Sequence, residues 1–177
     1  SPPRNPFWPR SMPVDVKICG LSTEDSVDAA VNAGADFVGF VFFAKSPRNV
    51  TPERAAELAG RARGKAKIVA LTVDADDTVL QHVNMLLNPD LFQAHGAETP
   101  ERIRAIASLT GKPVMKAIRV KEVADIAAAA AYTDAAAFIL YDAKAPETLG
   151  STLPGGNGHA FDWDLLQGSR RPAFMLA

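Results

Sequence analysis

Seven short apolar runs alternate with helical patterns along almost the whole chain, and that alternation admits few architectures. The runs fall at 14–19, 36–43, 66–73, 90–94, 113–119, 136–142 and 172–177, with helical stretches at 23–33, 52–63, 76–87, 99–110, 121–131 and a short one near 161–167. Val14, Val16 and Ile18 are spaced two apart, the period of a strand. Thr51-Pro52-Glu53-Arg54 and Thr99-Pro100-Glu101-Arg102 open helices with proline at the first helical position, and Ser22-Thr23-Glu24-Asp25 carries an N-cap signal. Gly34 and Gly111 fall just past helix ends. Each strand plus its helix spans roughly one βα unit. A strict alternation with crossover helices means parallel strands and right-handed connections.

Two architectures satisfy this, a doubly wound sheet and an eight-stranded barrel. A dinucleotide-binding sheet needs a glycine-rich turn after its first strand, and Cys19-Gly20-Leu21-Ser22 is not G-x-G-x-x-G. The barrel is favoured, because polar residues end nearly every strand. The expectation is therefore an α/β fold, a parallel (β/α)8 TIM barrel of which seven strands and six helices are present. Closing it takes about 35–40 residues more, given the usual unit size. Residues 1–11 are proline-rich, lack either period, and are read as an expression remnant or a disordered extension. Residues 12–177 are read as one truncated barrel domain.

A net charge of −1 argues against nucleic acid or an anionic membrane as the main partner, and no apolar run approaches a membrane span. One cysteine permits no internal disulfide and leaves too few thiols for a zinc site, which points to a reducing cytoplasm.

The strand ends in order are Cys19, Lys45-Ser46-Pro47-Arg48, Asp74, Gln93-Ala94-His95-Gly96, Arg119 and Asp142, followed by a loop at 143–160. Each has a plain reading: Cys19 as a buried structural thiol, Arg48 as a solvated cation, His95 as a core histidine, Asp142 as a cap. Their convergence on one rim favours a site. Lys17 lies two residues before Cys19 and shares its face, where it either favours a thiolate or, more plainly, forms a buried ion pair.

Lys17-Ile18-Cys19-Gly20, Gly39-Phe40-Val41-Phe42 with Ser46-Pro47-Arg48, Gln93-x-His95-Gly96, Asp142 and Gly155-Gly156-x-Gly158-x-x-Phe161-Asp162-Trp163 resemble the phosphoribosylanthranilate isomerase family, in register from Val14 to Ala177. The resemblance implies a (β/α)8 barrel with no metal or cofactor. It implies conversion of N-(5-phosphoribosyl)anthranilate to 1-(2-carboxyphenylamino)-1-deoxyribulose 5-phosphate by an Amadori rearrangement, in tryptophan biosynthesis. By the same resemblance Asp142 is the general acid and Cys19 the general base.

Arg48 suits the anthranilate carboxylate, because a guanidinium fork matches a carboxylate. Gln93 and His95 shape the substrate end of the fourth strand rather than transfer protons. Gly155 and Gly156 belong to a segment that closes over the substrate. The expected partner is a small phosphosugar, bound by a monomer or homodimer.

The family's phosphate-binding turns after strands seven and eight have no counterpart here, so a chain ending at Ala177 is expected to be weakly stable and poorly active. Two other readings remain. One is a different phosphosugar barrel: an epimerase, which needs metal-binding side chains at several strand ends, or an indole-glycerol-phosphate synthase relative, with Lys116 as its lysine. The other is a non-catalytic barrel fragment.

Overall fold

The computed structural model describes residues 14–143 and 174–177. The extension at 1–11, Gly155, Gly156 and Gly158, and the helix near 161–167 lie outside the described residues. Seven strands are described: β1 Lys17–Cys19, β2 Phe37–Phe42, β3 Lys67–Thr72, β4 Leu91–Ala94, β5 Val114–Val120, β6 Phe138–Ala143 and β7 Phe174–Leu176. Among the described residues five α-helices lie between them: α1 Glu24–Asn32, α2 Pro52–Gly60, α3 Asp77–Leu87, α4 Pro100–Thr110 and α5 Val123–Ala128. All neighbouring strands pair in parallel, in the order β1-β2-β3-β4-β5-β6-β7. The result is a curled sheet with helices outside, an incomplete (β/α)8 barrel.

The strand period of two separates two cores. Phe37, Val69, Leu91, Met115, Ala117 and Leu140 meet inside the curl. The alternate residues Val38, Phe40, Ile68, Ala70, Phe92 and Val114 face the helices. The helices answer with apolar stripes at helical spacing, including Leu58 on α2, Leu80, Val83 and Leu87 on α3, and Ile103 and Ile106 on α4. Because the layer is shared by consecutive βα units, each unit is stabilised mainly by its neighbours.

The caps form as read from the sequence. The hydroxyls of Thr23, Thr51 and Thr99 accept from the backbone N–H groups of Ser26, Arg54 and Arg102. Gly111 ends α4 in the left-handed region, at φ +68°. Asn88 does the same for α3 at φ +45°, a role the sequence reading did not give it.

Most boundaries shift by a residue or two, and three of the differences have a visible cause. The first strand is shorter than 14–19, because the Asp36 side chain accepts from Val16 N–H and takes the place of a ladder bond, leaving Val14 79 % exposed. The second helix stops at Gly60 instead of running to 63, and Arg63 turns to donate to the Leu87 carbonyl at the end of α3. The fifth helix tightens into a 3-10 turn at Ala129–Tyr132, which sets Tyr132 Oη to donate to the Glu98 carbonyl at 2.9 Å. Replacing the cap residue in Thr99→Ala is expected to lower the unfolding free energy by about 1 kcal/mol. Thr99→Asn should retain most of it, as read from urea denaturation midpoints.

Candidate active site

Alternation along the strands decides which polar groups enter the curl. Gln93 and His95 follow Leu91 on the inner face of β4 and its end, Arg119 follows Ala117 on β5, and Asp142 follows Leu140 on β6. Arg119 and Asp142 are register partners. Cys19 pairs with Gly39, two residues beyond the inward Phe37. All lie toward the C-terminal ends of parallel strands, the face where barrel sites form.

The fourth and sixth strands are joined by a chain of buried side chains. Gln93 Nε2 lies 2.9 Å from His95 Nδ1, and His95 Nε2 lies 3.0 Å from Asp142 Oδ2. Gln93, His95 and Asp142 are only 1 %, 5 % and 6 % exposed. Both ring nitrogens of His95 are thereby engaged, so the ring has no free lone pair to bind a metal. Among the described residues there is no cluster of three or more metal-ligating side chains.

Cys19 is a free, half-buried thiol on the first strand. Its Sγ occupies space above Gly39, where an added Cβ would stand 2.8 Å from the sulfur. The backbone turns sharply after it, with Gly20 at φ +81°. Arg48 lies across Gly20, where a Cβ would stand 2.6 Å from its Cδ, and its Nη1 is 3.5 Å from the Cys19 carbonyl oxygen. Thus one missing side chain makes room for the thiol, and another lets the guanidinium reach the Cys19 backbone. Lys17 is half-buried on the Cys19 face, and no salt bridge to it is formed among the described residues; the ion-pair reading is not supported there.

Lys116 faces the other way. It points into the helix layer, where Nζ meets Glu98 Oε2 at 2.8 Å and the Gly96 carbonyl at 2.6 Å, close to the Tyr132 ring. A lysine on that face cannot serve chemistry inside the curl, which removes the support for a synthase-type site. Glu98 is the residue the sequence reading missed. It accepts from the backbone N–H groups of Asp74 at 2.9 Å and Gly96 at 2.9 Å, joining the loops after β3 and β4. Asp74 completes the brace by accepting from Ala97 N–H at 2.7 Å, in a left-handed conformation at φ +48°. The available signal was Lys116 itself, because a cation among apolar strand residues demands a buried carboxylate.

Burial pushes the Glu98 carboxyl up, but the Lys116 hydrogen bond and charge, with the Asp74 amide, outweigh it and hold the group below its ordinary value of 4.5. The depressed value means this stabilisation is complete above the ordinary value and is lost as pH falls through the folded-state value. Wild type should therefore lose stability with acid below about pH 4.5. Glu98→Gln should show a smaller loss over that range. Lys116→Met should cost about 3–5 kcal/mol at neutral pH, because it leaves a buried carboxylate unpaired. Urea titrations at several pH values measure all three.

With this geometry in place, the comparisons are decisive. The family model for N-(5'phosphoribosyl)anthranilate (PRA) isomerase matches residues 16–177. The chain belongs to this isomerase family. N-(5'-phosphoribosyl)anthranilate isomerase of Rhizobium meliloti (strain 1021) is 54% identical over 155 residues, covering 88% of this chain and 71% of the relative. The isomerase structure from Thermotoga maritima matches with a TM-score of 0.75 at 34% identity, over 86% of this chain and 70% of that one. A family structure in complex with reduced 1-(o-carboxyphenylamino)-1-deoxyribulose 5-phosphate matches with a TM-score of 0.68 at 32% identity, over 74% and 66%. The family is one of isomerases in tryptophan biosynthesis.

Proposed function

We propose that the chain isomerises N-(5-phosphoribosyl)anthranilate to 1-(2-carboxyphenylamino)-1-deoxyribulose 5-phosphate, with Asp142 as general acid and Cys19 as general base. The observation that carries this assignment is the placement of a buried carboxyl and a half-exposed thiol on the inner face, near the C-terminal ends of strands β6 and β1. The protonated Asp142 carboxyl gives its proton to the furanose ring oxygen. The C1–O bond breaks as the anthranilate nitrogen lone pair forms a C1=N bond, leaving a protonated Schiff base and the Asp142 carboxylate.

The Cys19 thiolate then takes the C2 proton. The C2–H electron pair becomes a C1=C2 bond, and the Schiff-base nitrogen recovers its lone pair as an enolamine. Loss of the C2 hydroxyl proton and protonation at C1 give the aminoketose. No external oxidant or reductant enters this sequence. C1 is reduced and C2 oxidised within one molecule.

Arg48 is assigned to the anthranilate carboxylate. Its guanidinium lies beside the Cys19 backbone, so binding the aromatic end there would set the sugar carbons close to the thiol. His95 holds Asp142 in place. Gly155 and Gly156 remain assigned by motif to the segment closing over the substrate. The reading places the reaction in the cytoplasm, in a monomer or homodimer.

Cys19→Ala and Asp142→Asn should each lower kcat by at least about a thousandfold with a small change in KM, since each removes a group that acts on the transition state. Arg48→Ala should instead raise KM by about tenfold or more, the loss expected for a hydrogen bond between charged groups. Steady-state kinetics on chains with unchanged circular dichroism test these roles. Near-normal turnover in either of the first two variants would remove that residue from the mechanism. Tight binding of a reduced, non-rearranging analogue without turnover would instead identify a binding fragment.

A further inference from the structure

Gln93 takes no part in these proton transfers, yet it is wholly buried and its amide meets the histidine that holds the acid. A carboxamide can present either its NH2 or its carbonyl to the imidazole. With the NH2 facing Nδ1, that nitrogen accepts and the ring's single proton resides on Nε2. Nε2–H then donates to Asp142 Oδ2 across 3.0 Å. The cost is Gln93 Oε1, which is buried without a partner. With the carbonyl facing Nδ1, the ring proton moves to Nδ1, and both amide protons are thrust into the space that offers Oε1 no partner. Either way the side chain strands two polar groups, Oε1 and one amide proton in the first arrangement and both amide protons in the second. The other end of the ring decides. Nε2–H donates to the Asp142 carboxylate formed when the acid gives up its proton, whereas a bare Nε2 would set its lone pair against that oxygen across 3.0 Å. The first arrangement therefore prevails.

We infer that Gln93 is a positioning residue that fixes His95 in the Nε2–H tautomer and so keeps the catalytic proton of Asp142 on Oδ1. This deepens the assignment of Asp142 as acid and rests on it. With Oδ2 already accepting from a ring N–H, a proton on that oxygen would face another proton. Only Oδ1 is left to carry it, and Oδ1 is the oxygen that His95 leaves free for substrate. The same N–H then stabilises the carboxylate formed when the proton departs. In the opposite tautomer Nε2 would accept a hydrogen bond from a protonated Oδ2 and hold the acid's proton away from the sugar.

The test is the nitrogen-15 spectrum of the His95 ring in the 177-residue chain at neutral pH, with His82→Gln and His159→Gln leaving one histidine. The expected spectrum shows Nδ1 as a lone-pair nitrogen and Nε2 as an N–H. A proton on Nδ1 overturns the inference without recourse to any Gln93 variant. Gln93→Glu, whose carboxylate only accepts, should move the proton to Nδ1 and lower kcat at least tenfold with KM within about twofold. A moved proton with unchanged kcat also overturns it. Turnover surviving in Asp142→Asn would instead defeat the acid assignment, while the spectrum still reports the tautomer.

Discussion

The strands from β2 to β6 are largely buried on both faces, so each of their residues is committed either to the interior of the curl or to the helix layer. One step along the chain exchanges the two. Met115 and Ala117 join the inner core while Lys116 between them pairs with Glu98 outside. A register error of one residue on β5 would therefore bury an unpaired ammonium inside and turn Arg119 into the helix layer, at a cost no local adjustment repays. The Lys116–Glu98 pair acts as a register marker as much as a source of stability. Its energy over a pair of apolar residues is small in general, but its loss by halves is not.

That pair also reaches the site from behind. Glu98 fastens the amides of Asp74 and Gly96, and Lys116 fastens the Gly96 carbonyl. Gly96 directly follows His95, so the backbone carrying the histidine is held by charges on one face of the sheet. The ring itself is held by Gln93 and Asp142 on the other. Gly96 has to be glycine for this brace to close, because a side chain there would collide with the Asp74 carboxylate. Asp142 is thus built into the sheet at several removes.

Much of this was legible in the sequence because it follows from periodicity. The strand-helix alternation, the threonine caps and the glycine ends rest on local chemistry, and among the described residues they reappear within a few positions. The inward face of Cys19, Gln93, His95 and Asp142 follows from counting by twos. What escaped is non-local. Nothing near Glu98 announces that it lies under β5 beside Lys116, since their pairing spans 18 residues and two loops. Likewise Gly39 reads as part of a strand motif, and only the fold shows that its missing side chain makes room for a sulfur on the neighbouring strand. The shortening of β1 was hidden for the same reason, because it depends on a carboxylate, Asp36, reaching across from the next βα unit.

The two groups proposed for proton transfer are held in contrasting ways, and the proposed chemistry accounts for the contrast. In the proposed reaction the acid acts on the closed furanose, whose ring oxygen keeps one place once the aromatic end is bound. A carboxyl locked by a buried three-residue chain suits such a target, since tight positioning is where most of the gain from a bound acid arises. In the same proposal the base acts after the ring has opened, when C1 has become planar and C2 has changed its direction. A half-buried thiol at the end of a short strand, seated over a glycine of the neighbouring strand, fits a target that changes direction during the reaction. The same contrast fits the sequence cost: the proposed acid is braced by Gln93, His95 and the distant Glu98, whereas the proposed base sits over Gly39 and before the turn at Gly20.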